Sequence, residues 1–286
     1  LTPRLFTEVE LDESASEFGF NPSKPPVKTS KPAMVKAKEP YDEIGPLSGK
    51  VEEEFIYGTL IGSDIIPFAH RDLRPAVIPA LPGGTRYEVL ETKDTKSGGY
   101  SGLGDWLETA NKHWDSDKTG VETVSRRLNH WDRISSHNPR AKYRVGYPKD
   151  GKNLYACVVN SEEVEERSKE DRLGPADSIL DHTMFYYETD ELEEAYYLSA
   201  VLNSDVMNQK IKSFQAEGDF GKRHIQKLPL EFPIPTFNPD KPEHQELIQI
   251  AKRGEQKALR ILPELEEKYE PDIKYMNIRW VREKAK

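Results

Sequence analysis

A glycine turn, Gly218-Asp219-Phe220-Gly221, runs directly into Lys222, Arg223 and His224, and Lys227 follows three residues on. Small residues let a backbone approach a phosphate closely, and basic side chains then neutralise it. Arginine can also read guanine with two parallel hydrogen bonds, whereas lysine acts as a point charge. Residues 207–227 carry five basic residues against two acidic ones. A second basic segment, residues 126–152, carries eight against two and includes Arg140, Lys142 and Arg144. The net charge of the chain is −9, but what a polyanion meets is the local field, within a Debye length of about 10 Å. The same residues admit a structural reading. Gly218 and Gly221 could simply end the preceding helix, and Arg223 could pair with residues 161–194, which hold thirteen acids against three bases. The basic runs would then be solvated faces, and the residues alone leave both readings open.

Other chemistries fit less well. Asp240 and the later Asp272-Ile273-Lys274 supply the acids and lysine of a metal-dependent nuclease, but that reaction needs the acids on adjacent strands. The first lies in a proline loop and the second beyond a helical stretch. His70-Arg71-Asp72-Leu73 mimics a kinase catalytic loop, yet Val77 stands where the metal-binding asparagine belongs, and no glycine loop precedes it. His113, His130 and His137 have no acid or thiol at a metal-ligand rhythm. The single Cys157, inside the apolar run Leu154-Tyr155-Ala156-Cys157-Val158-Val159, reads as a buried inert thiol. One cysteine makes neither an internal disulfide nor a cysteine-based zinc site.

The elements that position the basic segments follow from periodicity. A chain of 286 residues implies one large or two modest domains. It is 32% charged, yet ten Phe, thirteen Tyr and four Trp argue for an ordered core. Residues 1–50 hold Pro3, Pro22, Pro25, Pro26, Pro32, Pro40 and Pro46 and read as an extended arm with a short strand at 4–9. Strands are predicted at 74–79, 143–147, 154–159 and 184–187, the middle two forming a hairpin across Asp150-Gly151. Residues 51–61 fit a short helix or a strand. The region 101–135 is an inserted helical section with two packing stripes. The first is Leu103, Trp106, Leu107, Ala110 and Trp114; the second is Val121, Val124, Leu128 and Trp131. A helix over 191–212 would bury Leu192, Ala195, Tyr196, Leu198, Ser199, Leu202, Val206 and Ile211. Residues 228–234 read as an edge or exit strand. Pro242 opens a last helix to Tyr269 with Leu247, Ile250, Ala251, Ala258 and Leu259 apolar, and Pro263 limits or kinks it. The expected fold class is α+β, a mixed or antiparallel sheet with inserted helices and a long C-terminal helix. No apolar run approaches the length of about 20 residues that a membrane span needs, and no signal peptide opens the sequence. A cytoplasmic protein without a membrane partner is expected. Leu1 in place of methionine reads as a fragment or a processed product.

One string joins several of these elements. Tyr197-Leu198-Ser199-Ala200-Val201-Leu202-Asn203-Ser204 is followed by Phe220-Gly221-Lys222-Arg223-His224-Ile225-Gln226-Lys227, and then by Pro233-Ile234-Pro235-Thr236-Phe237. In order and spacing it resembles the C-terminal specificity region of N6-adenine-specific DNA methyltransferases of the type II restriction-modification and phage-defence class. The likeness is strong over 181–260, looser over 47–160 and absent before that. It implies an arm at 1–50, a target-recognition domain at 51–240 and a C-terminal helical segment at 241–286. The partners it implies are double-stranded DNA and a methyltransferase domain attached covalently or non-covalently. Gly218, Gly221, Lys222, Arg223, His224 and Lys227, with Arg140, Lys142 and Arg144, would contact DNA. S-adenosylmethionine would belong to the catalytic domain, leaving this chain without a cofactor and inactive alone. The only approach to the adenine-methylating motif, Asn21-Pro22-Ser23-Lys24, fails at its third and fourth positions. A reading from another class is a protein-interaction module that docks a partner subunit through the acidic 161–194 face and the C-terminal helix, without touching DNA.

Overall fold

The computed structural model describes residues 4–17, 19–114, 120–168, 172–175, 177–215 and 224–269, and of 165–168 and 265–269 the backbone alone. The protein is α+β: its sheets are small and antiparallel, and it carries a long C-terminal helix, Pro242–Tyr269. Two compact units are interleaved along the chain. The first comprises Leu1–Thr59, Leu73–Arg140 and Ser161–Ile179; the second comprises Leu60–Asp72, Ala141–Asn160 and Leu180–Lys286. The boundaries near 50 and 240 that the resemblance implies divide the chain by position along the sequence, whereas each of these units is assembled from separated segments.

In the first unit the expected extended arm is folded into the core. Leu5, Phe6, Val9, Val27 and Leu47 are buried there, and the strands Val9–Leu11, Pro26–Thr29 and Ser48–Lys50 form a three-stranded antiparallel sheet. Pro26 and Pro32 mislead because they sit where no N–H is needed. Pro26 opens a strand, and Pro32 lies in the first turn of the short helix Lys31–Val35. The strand expected at 4–9 is a 3-10 turn, Arg4–Phe6, before the strand Val9–Leu11. The first helical stripe is as expected: Leu103, Trp106, Leu107 and Ala110 of the helix Ser101–His113 are buried, as is Trp114 beyond it. Gly99, at φ 83°, ends the preceding helix Thr92–Gly98 in the left-handed conformation that glycine adopts without strain. The Glu52 carboxylate accepts the Gly102 and Leu103 N–H groups at 2.9 and 2.8 Å, closing the open end of the helix. Burial alone would raise the Glu52 pKa, but Lys24 at 2.9 Å and these N–H donors outweigh it and hold the carboxyl below its ordinary value.

The second unit is built on the strand Tyr143–Pro148, paired antiparallel on one side with Cys157–Asn160 and on the other with Met184–Thr189. The expected hairpin is present, but its connection runs over residues 149–156 rather than as a tight two-residue turn. Tyr143, Val145 and Tyr147 pack with Ala195, Leu198 and Leu202 of the helix Leu192–Asn203. On the other face a Cβ at Gly146 would lie 2.8 Å from the Met184 methyl, so a larger residue there would displace the end of that side chain. The single helix predicted over 191–212 is two, Leu192–Asn203 and Asp205–Phe214, because Ser204 leaves the helix and its Oγ caps the second by accepting the Met207 N–H at 3.2 Å. Asn203 and Asn208 use their side-chain amides as substitute strand edges. Asn203 donates to the Ala156 carbonyl at 2.8 Å and accepts from the Ala156 N–H, and Asn208 accepts from the Leu154 N–H at 2.8 Å. Residues 228–231 form a short helix, Leu228–Glu231, not a strand, since Pro229 lacks the N–H a ladder uses and suits a first helical turn. On the C-terminal helix the buried positions are His244, Ile248, Ala251, Ala258 and Leu262, one residue out of step with part of the predicted stripe, and Ile250 and Leu259 are exposed.

Cys157 is buried and its Sγ lies 3.8 Å from the Gly146 carbonyl. Burial first, and the Glu255 charge second, push its thiol well above the ordinary range, so it stays protonated and unreactive at neutral pH. An aromatic disulfide reagent is expected to leave the native protein unlabelled and to modify one thiol on denaturation. Rapid labelling of the folded chain would contradict this placement.

Candidate nucleic-acid interface

In the second unit the segment carrying His224 and Lys227 is pinned to the loop after the central strand. The Ile225 and Gln226 N–H groups both donate to the Lys149 carbonyl at 2.9 Å, and Ile225 is fully buried. Gln226 takes φ 52°, which turns the chain so that Lys227 points back over the sheet. The Lys149 and Lys227 ammonium groups then lie 4.9 and 5.8 Å from the centroid of the half-buried Phe185 ring. Both distances are within cation–π range, which orients two flexible lysines over one ring. His224 is exposed and pairs through Nδ1 with Asp150 at 2.9 Å, so this one acid offsets a histidine rather than a lysine. The structure thus brings His224 and Lys227 together and adds Lys149. That lysine falls inside the basic 126–152 segment and sits beside the Asp150-Gly151 turn, a signal its charge alone did not single out.

Gly218, Gly221, Lys222 and Arg223 lie outside the described residues. Lys142 is exposed, and its backbone N–H donates to Asp190 at 3.3 Å. Arg144 is removed from the interface. Its side chain is 0% exposed and its Nε donates to Glu188 at 3.1 Å, directly across the strand pair. Alternation along 143–147 suggested an outward arginine, but a central strand is covered on both faces.

The first unit carries the remaining basic residues. Arg140 is exposed, and Arg126 is held by Glu91 and Glu122. Trp131, assigned by its spacing to the packing stripe with Val124 and Leu128, is 79% exposed. The helix Val124–Leu128 stops one turn short of it, and Trp131 and Asp132 take φ 61° and 57°. Left-handed backbone at non-glycine residues costs about 1–3 kcal/mol each and persists only where surroundings enforce it. Here they do. The Asn129 Oδ1 accepts the Ile134 and Ser135 N–H groups at 3.0 and 2.9 Å, and Leu128 and Ile134 on either side are buried.

Among the described residues no group of three or more His, Cys, Asp or Glu side chains could hold a metal ion, and no helix is long and apolar enough to cross a membrane. The residues nearest to an adenine-methylating motif do not fit that role. The Asn21 carboxamide accepts the Ser23 N–H within its own turn, and the Lys24 ammonium bonds Ser101 at 2.7 Å and pairs with Glu52. No protein-family model matches the chain, and no curated protein matches it either.

Proposed function

We propose that this chain is a DNA-binding target-recognition region serving an adenine-N6 DNA methyltransferase of a restriction-modification or related defence system. The observation that carries the reading is the convergence of Lys149 and Lys227 on Phe185, beside His224. Two separate chain segments bring lysine side chains to one aromatic ring, and one of those segments belongs to the methyltransferase-like string. The region would hold duplex DNA while the target adenine leaves the stack for an attached catalytic domain. S-adenosylmethionine would be bound by that domain, and this chain alone would not methylate. A second reading, a docking module without DNA contact, draws support from Val206 and Phe214, exposed at 66% and 64% on one helix.

Salt-dependent binding of a labelled duplex separates the two. In the first reading affinity falls with salt, and each phosphate contact contributes about 0.9 to the log–log slope. Lys227→Ala and Lys149→Ala are each expected to flatten that slope by about 1 and to weaken binding to all sequences alike. Lys227 is exposed and Lys149 is half-buried, so far-ultraviolet circular dichroism of both variants should match wild type before their slopes are compared. Absence of duplex binding at low salt would leave the docking module as the reading to pursue.

A further inference from the structure

An exposed tryptophan in a loop this tightly fixed calls for a partner. Leu128 and Ile134 anchor the loop in the core of the first unit, Asn129 closes it, and the Asp132 N–H donates to the Asn129 carbonyl at 2.9 Å. The tip holds Trp131 in water at 79% exposure, in a backbone conformation bulky side chains avoid. The indole is surrounded by polar, largely cationic groups. The Arg133 guanidinium lies 5.1 Å from the ring centroid and the His130 ring 4.5 Å away. Burial first, and the Arg127 charge second, lower the Arg133 pKa. Asp132 is the one carboxylate in the tip, and it accepts the Ser135 hydroxyl at 3.3 Å. An apolar protein surface would meet charged groups around the indole. A nucleotide matches them, with its base as a flat π-face for the indole and a phosphate as acceptor for Arg133.

We propose that Trp131 is a base-stacking side chain that receives an unpaired DNA base, with Arg133 on a flanking phosphate. The proposal rests on the DNA-binding reading of the chain and assigns it a second contact, distinct from the Lys149 and Lys227 platform. The unpaired base could come from an opened duplex or from a single strand.

Fluorescence anisotropy with three probes tests this: oligothymidylate, a fully paired duplex, and the same duplex with one unpaired adenine. Trp131→Ala is expected to weaken binding to oligothymidylate and to the unpaired-adenine duplex by about 5- to 150-fold, the range for loss of one stacked base. The paired duplex should be affected less. Trp131→Phe should retain part of the affinity, and the salt slope should stay unchanged, because stacking releases no counterion. The difference in intrinsic fluorescence between wild type and Trp131→Phe should be quenched by oligothymidylate. An effect on oligothymidylate alone would assign the site to single strands, and an effect on both would include opened duplex. Wild-type binding with Trp131→Ala unaltered on all three probes would overturn the stacking role and leave the DNA reading standing. An equal loss on paired and unpaired duplexes would overturn it too, by placing the indole against intact DNA. If wild type binds no probe, both readings fall together.

Discussion

Leu202→Ala is expected to lower the stability of the protein by about 2–5 kcal/mol, while Val206→Ala, four residues on, changes it by no more than about 0.5 kcal/mol. The two leucine- and valine-bearing positions lie on one apolar stripe by spacing, yet Leu202 is 0% exposed and Val206 is 66% exposed. Leu202 fills the space between its helix and the sheet residues Tyr143, Val145 and Tyr147, so truncation leaves a cavity in close-packed surroundings as well as losing apolar burial. Val206 follows the break at Ser204 and belongs to a helix with a different axis. Urea unfolding monitored by far-ultraviolet circular dichroism checks the pair. Equal losses at the two positions would mean that the helix continues through Ser204.

That pair illustrates what sequence could and could not reveal. The hairpin partners, the strand at 184–189 and the buried face of the helix Ser101–His113 follow from local period and were legible. What was not legible depends on capping and on tertiary cover. Ser204 is an ordinary helix residue by spacing and becomes a break because its hydroxyl caps the next helix. Trp131 continues a helical stripe on paper, but Asn129 captures the backbone of Ile134 and Ser135 and turns the chain outward. Pro26 and Pro32 look like linker residues and instead open a strand and sit in the first turn of a helix, in a region whose Val27 and Leu47 are core.

Much of the methyltransferase-like string has structural work in this fold. Asn203 holds both polar groups of Ala156, and Ser204 caps a helix. The Tyr197 hydroxyl donates to the Pro235 carbonyl at 2.9 Å, while its ring packs against Phe237 and His244 at 5.5 and 4.5 Å. The tyrosine therefore fastens the proline-punctuated exit to the helix Leu192–Asn203 and to the start of the C-terminal helix. Backbone groups and ring faces satisfied in this way are not available to DNA. On the DNA-binding reading proposed above, the described part of the string would contribute through its outlying basic end, His224 to Lys227, together with groups outside it such as Lys149.

The other large effect expected is at the ion pair of the central strand. Glu188→Ala should cost about 3–5 kcal/mol, because it takes the Glu188 carboxylate from a guanidinium that has no contact with water. Arg144→Met should cost less. It replaces a buried ion by an apolar chain of similar length, and Glu188, at 19% exposure, keeps some solvent. The double variant Arg144→Met with Glu188→Leu should recover most of the loss, since a buried pair exchanged for apolar residues of like volume is often close to neutral. Urea unfolding of wild type, Arg144→Met, Glu188→Leu and the double variant gives the cycle directly. The same variants decide whether Arg144 has any part in recognition. Folded Arg144→Met is expected to bind duplex DNA with wild-type affinity and salt slope, because a side chain at 0% exposure reaches no phosphate. If Arg144→Met instead kept full stability and lost affinity, the arginine would belong to the interface and the burial of the strand on both faces would have to open on binding.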